Sequence, residues 1–237
     1  MSIFAVADLH LSLTGEKPMD IYGGEWINHT EKLKKNWEAV ISEEDTVILP
    51  GDSSWALKLE DALPDLEWIG SLPGKKVLIK GNHDLWWNSI GKLNRINESM
   101  LFLQNSFYEA DGYAICGTRG WICPGVDDFT IHDEKIYRRE LGRLRLSLDM
   151  AAMAGYGKKY NGEKGPIIGV LHFPPANDSL NRSGFIDLFE EYQVKKVIYG
   201  HLHGRDAYGN GFRGIKNNVE YILASIDYLK CMPIQIV

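Results

Sequence analysis

Cysteine is scarce in this chain of 237 residues, and long uncharged hydrophobic runs are absent from its sequence. The three cysteines form neither a CxxC pair nor an even set for disulfides, and no basic and hydrophobic leader stands at the start. We therefore expect a cytoplasmic protein in a reducing environment. No stretch reaches the ~18 apolar residues that a membrane-spanning helix needs, so we expect no membrane partner.

An excess of positive charge is also missing. Lysine and arginine number 26 against 32 acidic residues, which gives a formal net charge of −6. A broad nucleic-acid-binding surface requires the opposite sign, so this class of protein is disfavoured. A small phosphorylated substrate is compatible with the charge, because bound metal ions can reverse the local field.

Short apolar runs, rich in β-branched residues, recur along the chain and are typical of strands buried on both faces. They are SIFAVA (2–7), TVILP (46–50), KVLIK (76–80), YAICG (113–117), PIIGVLH (166–172), KKVIYG (195–200), YILAS (221–225) and PIQIV (233–237). Helical patterns at 31–44 and 56–70 alternate with the first runs, and we expect Pro64 to interrupt the second helix. The alternation predicts an α/β fold, and we expect a single domain over residues 1–237.

A longer helix is predicted over residues 133–153, where apolar residues recur at steps of four and three. Four arginines lie on or near its other side: Arg138, Arg139, Arg143 and Arg145. We interpret this basic side as a solvated surface in preference to a surface that steers phosphate.

Histidine, aspartate and asparagine follow the apolar runs where the predicted strands end. The segments are Asp8-Leu9-His10, Gly51-Asp52, Gly81-Asn82-His83-Asp84, His172 and Gly200-His201-Leu202-His203. Because ligands of α/β sheets bind at the carboxyl ends of the strands, we expect these side chains to share one pocket. His29 and His132 lie outside the segments, and we interpret them as surface or structural residues.

The donors in these segments favour divalent metal ions. Four imidazoles, two carboxylates and one amide oxygen, without a thiolate, suit manganese, iron, zinc or cobalt. Seven donors are too many for one tetrahedral ion, and they divide between two ions if one carboxylate bridges. With a bridging hydroxide the site would carry a net charge of about +1, which attracts phosphate.

The ordered motifs, which span residues 8–203, resemble those of the calcineurin-like metallophosphoesterase superfamily. The resemblance implies a four-layer αββα sandwich with a dinuclear metal site at the carboxyl ends of the strands. It implies that one metal is held by Asp8, His10 and His203. It implies that the second metal is held by Asn82, His172 and His201, and that Asp52 bridges the two.

The resemblance also implies a reaction, the hydrolysis of a phosphate ester by a hydroxide that bridges the metals. His83 would protonate or stabilise the leaving group, and Asp84 would orient its ring. Asp84 is also compatible with a helix N-cap. Two alternatives stay open: a phosphodiesterase acting on a cyclic nucleotide or oligonucleotide, and a metal-binding interaction scaffold of the same fold.

Some residues depart from the patterns of related classes. Purple acid phosphatases have glycine and tyrosine where this sequence has His10 and Trp55, so that class is not expected. Protein Ser/Thr phosphatases follow their Gly-Asp with an Asp-Arg pair, which is absent after Asp52. Arg119 could contact phosphate or hold its own loop, and we leave it outside the predicted site. The GxGxxG match at 209–214 has no strand before it and no helix after it, so we reject a dinucleotide site there.

Overall fold

The computed structural model describes residues 1–15, 17–157 and 162–237, and the strands in these ranges form two sheets. The first sheet consists of β1 (Ile3–Ala5), β2 (Thr46–Leu49), β3 (Lys75–Leu78), β4 (Met100–Phe102) and β11 (Ile234–Gln235). Their spatial order is β11-β1-β2-β3-β4, and only the edge strand β11 is antiparallel to its neighbour.

The second sheet has six strands and a parallel centre. It consists of β5 (Phe107–Ala110), β6 (Tyr113–Thr118), β7 (Ile167–Leu171), β8 (Lys196–Tyr199), β9 (Gly214–Lys216) and β10 (Val219–Leu223). The spatial order is β5-β6-β7-β8-β10-β9, in which β5 and β9 pair antiparallel at the two edges. The parallel strands of both sheets supply the carboxyl ends at which the site is expected.

Helices cover the outer face of each sheet, which gives four layers. The helices are α1 (His29–Val40), α2 (Leu59–Ser71), α3 (Ile90–Leu93), α4 (Ile131–Met153) and α5 (Gly184–Glu191). One apolar cluster joins α1 and α2 to the first sheet, a second joins α4 and α5 to the second sheet, and a third lies between the sheets. The expected αββα sandwich is confirmed.

Strand β1 shows why the apolar runs are continuous. Side chains alternate between the two faces of a strand. Ile3 and Ala5 therefore join the cluster between the sheets, whereas Phe4 and Val6 join the cluster under α1 and α2. Because both faces are covered, most positions in the strands are apolar, and all eight predicted runs overlap a strand.

Pro64 does not interrupt the second predicted helix, which corrects our expectation. Helix α2 runs from Leu59 to Ser71 with Pro64 inside it. Proline removes one intrahelical hydrogen bond, but the helix buries Ala62 and Leu66 completely against the first sheet. Tertiary packing therefore outweighs the local penalty.

Helix α4 begins at a capping box whose N-cap is Thr130, and its predicted apolar face packs against the second sheet. Its arginines have unequal surroundings. Arg138 pairs with Glu134 at the surface, whereas Arg143 lies 2.8 Å from the carboxylate of the fully buried Glu140. Part of the arginine-bearing side of α4, which the sequence predicted to be solvated, therefore contacts the buried Glu140. Within the described ranges, no helix combines the length and the apolar character needed to cross a membrane.

Candidate metal centre

The predicted site residues follow the carboxyl ends of five strands from both sheets. Asp8 and His10 follow β1, Asp52 follows β2, Asn82, His83 and Asp84 follow β3, His172 follows β7, and His201 and His203 follow β8. Hydrogen bonds and ion-pair distances connect residues from both sheets, as described below. The structure therefore brings all nine residues to one end of the sandwich.

The backbone turns sharply at four of the seven candidate ligands. The φ angles are 61° at Asp8, 45° at His10, 53° at Asp52 and 72° at His201, all in the left-handed region. Each such residue costs about 1–3 kcal/mol, and this strain persists only where the surrounding structure enforces it. Four such residues fall among the seven candidate ligands, which is consistent with a functional site.

Glycines before two ligands allow the loops to approach each other. A Cβ on Gly51 would lie 2.7 Å from the Cα of Gly81 and 2.8 Å from Nδ1 of His172. A Cβ on Gly81 would overlap the carboxylate of Asp52. The glycines in the Gly51-Asp52 and Gly81-Asn82 motifs are therefore required by the packing of the site itself.

One group of donors consists of Asp8, His10 and His203, whose ligand atoms lie within 4.8 Å of one another. The Nε2 atoms of His10 and His203 are 3.3 Å apart, and Nε2 of His203 is 3.8 Å from Oδ1 of Asp8. Asp8 is fully buried and His10 nearly so. Nitrogen and oxygen lone pairs thus converge on one small volume.

A second group of donors consists of Asn82, His172 and His201. Oδ1 of Asn82 lies 2.6 Å from Nε2 of His172 and 3.0 Å from Nδ1 of His201. Asp52 lies between the two groups, because its Oδ2 is 3.3 Å from Nε2 of His172 and 3.8 Å from Nε2 of His10.

The donor set fits a pair of divalent cations. Imidazole, carboxylate and amide donors without thiolate suit manganese, iron, zinc or cobalt. Two imidazole nitrogens that face each other can share a proton as an N–H···N hydrogen bond, or both can offer their lone pairs to a cation, so the short approaches are compatible with bound metal ions. The two short nitrogen–nitrogen approaches, between His10 and His203 and between His172 and His201, are both 3.3 Å.

Burial tunes the protonation of these ligands. Burial lowers the pKa of His10 to about 3 and that of His201 to about 3, so both rings are neutral, as a metal ligand must be. Burial also disfavours charge on His172, but the carboxylates of Asp52 and Asp8 outweigh it and raise its pKa to about 9. A metal ion bound here would replace the proton that the carboxylates of Asp52 and Asp8 stabilise on this ring.

Groups outside the ligand set orient two of the rings. Nδ1 of His172 lies 2.9 Å from the carbonyl oxygen of Pro50, and Nδ1 of His203 lies 2.9 Å from Oδ1 of Asp227. In each case Nδ1–H donates the hydrogen bond, which leaves the lone pair of Nε2 directed towards the other candidate metal ligands. Asp227 also accepts hydrogen bonds from the backbone N–H of Gly204 and the hydroxyl of Tyr208.

Sequence reasoning missed Asp227. It follows the apolar run YILAS after one further residue, so the signal that identified the other strand-end acids was also present here. It belongs to no motif, and only the contact with His203 reveals its role.

Replacing Asp227 with asparagine is expected to weaken metal binding by roughly 10–100-fold, because the amide keeps the shape and loses the charge that orients His203. Metal affinity is measured by competition with a chromophoric chelator. Asp206→Asn is the matched control, since Asp206 is an exposed aspartate in the loop that follows His203. Equal affinities in the two variants would exclude this role for Asp227.

The contacts of Asp84 differ from the expected ones. Its buried carboxylate accepts hydrogen bonds from the backbone N–H groups of Gly81 (2.7 Å), Asp52 (2.9 Å), Ser53 (2.9 Å) and Ser54 (3.3 Å) and from Nε1 of Trp86 (3.1 Å). Among the described residues no hydrogen bond joins Asp84 to the His83 ring, and no helix begins at Asp84. Asp84 therefore ties the two ligand-bearing loops together instead of orienting the imidazole. Burial, followed by the negative charge of Asp52, raises its pKa to about 6.

The His83 ring is positioned by aromatic neighbours. Its centroid lies 4.3 Å from that of Trp55, and Trp55 in turn stacks on His10 at 4.6 Å. The backbone N–H of His83 donates to Oδ1 of Asp52 at 2.8 Å. The ring is half-buried and lines the cleft, where burial lowers its pKa.

The donor groups open into a cleft of about 870 Å³. Its walls beyond the donors are aromatic: Tyr22, Trp26, Trp55, Tyr208 and Tyr228. Arg205 and Lys230 add positive charge at exposed positions of the same cleft. The cleft therefore presents aromatic surface and positive charge beside the donor groups.

Comparisons with known proteins agree with this geometry. The profile of the calcineurin-like phosphoesterase family matches residues 1–205. The solved phosphopantetheinyl hydrolase from Mycobacterium tuberculosis is similar over 100% of this chain and 95% of its own, with a TM-score of 0.60 and 14% identity. A second solved protein, TT1561 of Thermus thermophilus, is similar over 85% of this chain and 81% of its own, with a TM-score of 0.55 and 14% identity. At these identities the two structures support a shared fold.

One curated protein is similar over a shorter stretch. The Gene 66 protein of Mycobacterium phage L5 is 41% identical over 56 residues, which are 24% of this chain. The matched region spans 27% of that relative's length.

Proposed function

We propose a function on the premise that this chain belongs to the calcineurin-like phosphoesterase family, whose profile covers residues 1–205. The chain is therefore a metal-dependent hydrolase of phosphate esters. Our proposal is that its substrate is a small phosphorylated molecule and that it cleaves a monoester. The observation that carries the proposal is the convergence of two donor groups with Asp52 between them.

Each donor group would hold one divalent ion, with the donors assigned as the sequence predicted. The first ion would be held by Asp8, His10 and His203. The second would be held by Asn82, His172 and His201, and Asp52 would serve both. When bound, a pair of manganese, iron, zinc or cobalt ions brings the pKa of water towards neutrality and offsets the charge of the phosphoryl oxygens. Asn82 keeps the site electropositive, because a carboxylate there would cancel part of the attraction for phosphate.

His83 is the proposed proton donor to the leaving group. It lines the cleft beside the donors, and its ring is held against Trp55. The hydrogen bond from its backbone N–H to Asp52 couples the position of His83 to the carboxylate that serves both ions. Asp84 supports this arrangement indirectly, because it holds the backbone of both loops.

A phosphodiester is the second candidate substrate, because the cleft has room for a second organic group on phosphorus. The cavity of about 870 Å³ extends past His203 to the aromatic walls formed by Tyr208 and Tyr228. A monoester whose alcohol carries a large group would also fill this space. A second organic group on phosphorus could occupy it, as in a cyclic nucleotide or an oligonucleotide end.

The two candidates are separated by comparing p-nitrophenyl phosphate with bis(p-nitrophenyl) phosphate, each with added manganese. Faster turnover of the monoester, abolished by EDTA and restored by metal, is the expected result. Preference for the bis-ester would replace the monoester proposal with the diester one. No turnover across a broad phosphoester panel, with both metals bound, would instead support an interaction scaffold.

A further inference from the structure

A second cavity lies apart from the catalytic cleft, and we call it the basic recess. It has a volume of about 230 Å³, and none of the described residues lines both cavities. Its walls come from the ends of β3, β4 and β6 and from one side of α4. The polar and aromatic residues in these walls include Lys80, Trp87, Arg119, Arg139, Glu140 and Arg143.

The recess carries more positive than negative charge. Three guanidinium groups share a single buried carboxylate: the Glu140 Oε1 atom lies 2.8 Å from Arg143, 3.2 Å from Arg139 and 3.9 Å from Arg119. The other carboxylate oxygen of Glu140 accepts a hydrogen bond from the hydroxyl of Thr118 at 2.6 Å. Lys80 adds a fourth cation to the same walls. One carboxylate therefore faces four cationic side chains.

Two of the lining residues have buried N–H groups without an acceptor. Nε of Arg119 and Nε1 of Trp87 are both inaccessible to solvent, and neither forms a hydrogen bond within the described part of the chain. Buried donors are satisfied in native proteins with few exceptions, so each exception needs a cause. The Arg119 guanidinium also lies 4.5 Å from the centroid of the Trp121 ring, which holds its plane in place.

We propose that the basic recess binds a phosphate-type oxyanion at a site separate from the catalytic cleft. Guanidinium groups present several N–H donors in a planar fork, which matches phosphate oxygens better than a single carboxylate. A tetrahedral anion balances the excess charge and accepts hydrogen bonds from guanidinium N–H groups that the single carboxylate of Glu140 does not engage. In this proposal Arg119 and the two arginines of α4 that contact Glu140 bind the same anion.

The test is calorimetric titration of inorganic phosphate into the metal-loaded protein and into protein stripped of metal with EDTA. The stripped protein is expected to retain one phosphate site, because no candidate metal ligand lines the recess. Arg143→Gln is expected to weaken that site by roughly 10–100-fold, since a charge-assisted hydrogen bond is lost. A parallel titration with glucose 6-phosphate distinguishes the two possible sources of the anion. Tighter binding of inorganic phosphate indicates a free ion, and tighter binding of glucose 6-phosphate indicates a phosphate ester.

Arg138→Gln is the matched control. It removes the same charge from the same helix, but Arg138 pairs with Glu134 at the surface and does not line the recess. Arg139→Gln repeats the test if Arg143→Gln lowers the melting temperature. Absence of phosphate binding to the stripped protein, or equal affinities in the Arg143 and Arg138 variants, would overturn the assignment.

Discussion

Asp52→Asn is expected to lower turnover by roughly 10³-fold or more and to reduce the content of both metals together. The reason is the position of Asp52, whose Oδ2 lies 3.3 Å from a nitrogen of His172 in one donor group and 3.8 Å from a nitrogen of His10 in the other. An amide at this position presents no negative charge to either cation. Metal content is measured by elemental analysis of the dialysed protein, alongside steady-state kinetics.

Asp8→Asn provides the comparison for this result. The ligand atoms of Asp8 group with those of His10 and His203 and also with those of Asp52 and His172. Since we assign Asp8 as a ligand of the first ion only, its loss should reduce one metal more than the other. Asp206→Asn, at an exposed position, should retain both. If Asp52→Asn lost no more metal than Asp8→Asn, Asp52 would serve one ion only, and the bridging role would have to be abandoned.

His83→Asn is expected to lower turnover by roughly 10²–10⁴-fold while both metals stay bound. The His83 ring lies beside the donors on the cleft wall and packs against Trp55, but no candidate ligand group includes it. Its loss therefore removes a proton donor without removing a ligand. Elemental analysis and kinetics on the same preparation separate these effects.

The choice of leaving group makes this prediction sharper. A nitrophenolate leaves without help from an acid, whereas an alkoxide needs a proton, so the variant should be impaired much more on an alkyl phosphate than on p-nitrophenyl phosphate. Leu85→Ala is a suitable control, because Leu85 follows in the same segment, is 60% exposed and lies outside the cleft. An equal loss on both substrates would argue against proton donation, and a parallel loss of metal would make His83 a ligand.

The comparison of Asp84 with Asp227 shows where local sequence is informative and where it is not. The motif Gly81-Asn82-His83-Asp84 located Asp84 correctly but suggested the wrong partner for it. Its carboxylate binds backbone N–H groups of Asp52 and Ser53, which are about thirty residues away in sequence. Asp227 lies in no motif, yet it forms the hydrogen bond to His203. Carboxylate partners depend on which loops meet, and that is a property of the assembled sandwich.

The secondary structure likewise includes elements that the local sequence predicted and elements that it did not. The eight apolar runs identified strands because burial on both faces leaves few polar positions in them. The three strands that the sequence did not reveal, β4, β5 and β9, are short or exposed, and β9 is exposed throughout. Pro64 was expected to break a helix that packing against the first sheet preserves. Local propensity fails where tertiary burial supplies the larger free energy.

The sequence by itself predicted an α/β fold and the candidate strand-end donors, and the resemblance of its motifs to a known family implied the sandwich, because hydrophobic period, glycine placement and ligand chemistry are all features of local stretches. Only the tertiary structure decided that Asp227 contacts His203, that Trp55 holds the His83 ring and that Arg119 lines a recess apart from the cleft. These facts depend on distances between loops that are far apart in the chain. Such distances are set by how two sheets and their helices pack, and no local pattern encodes them.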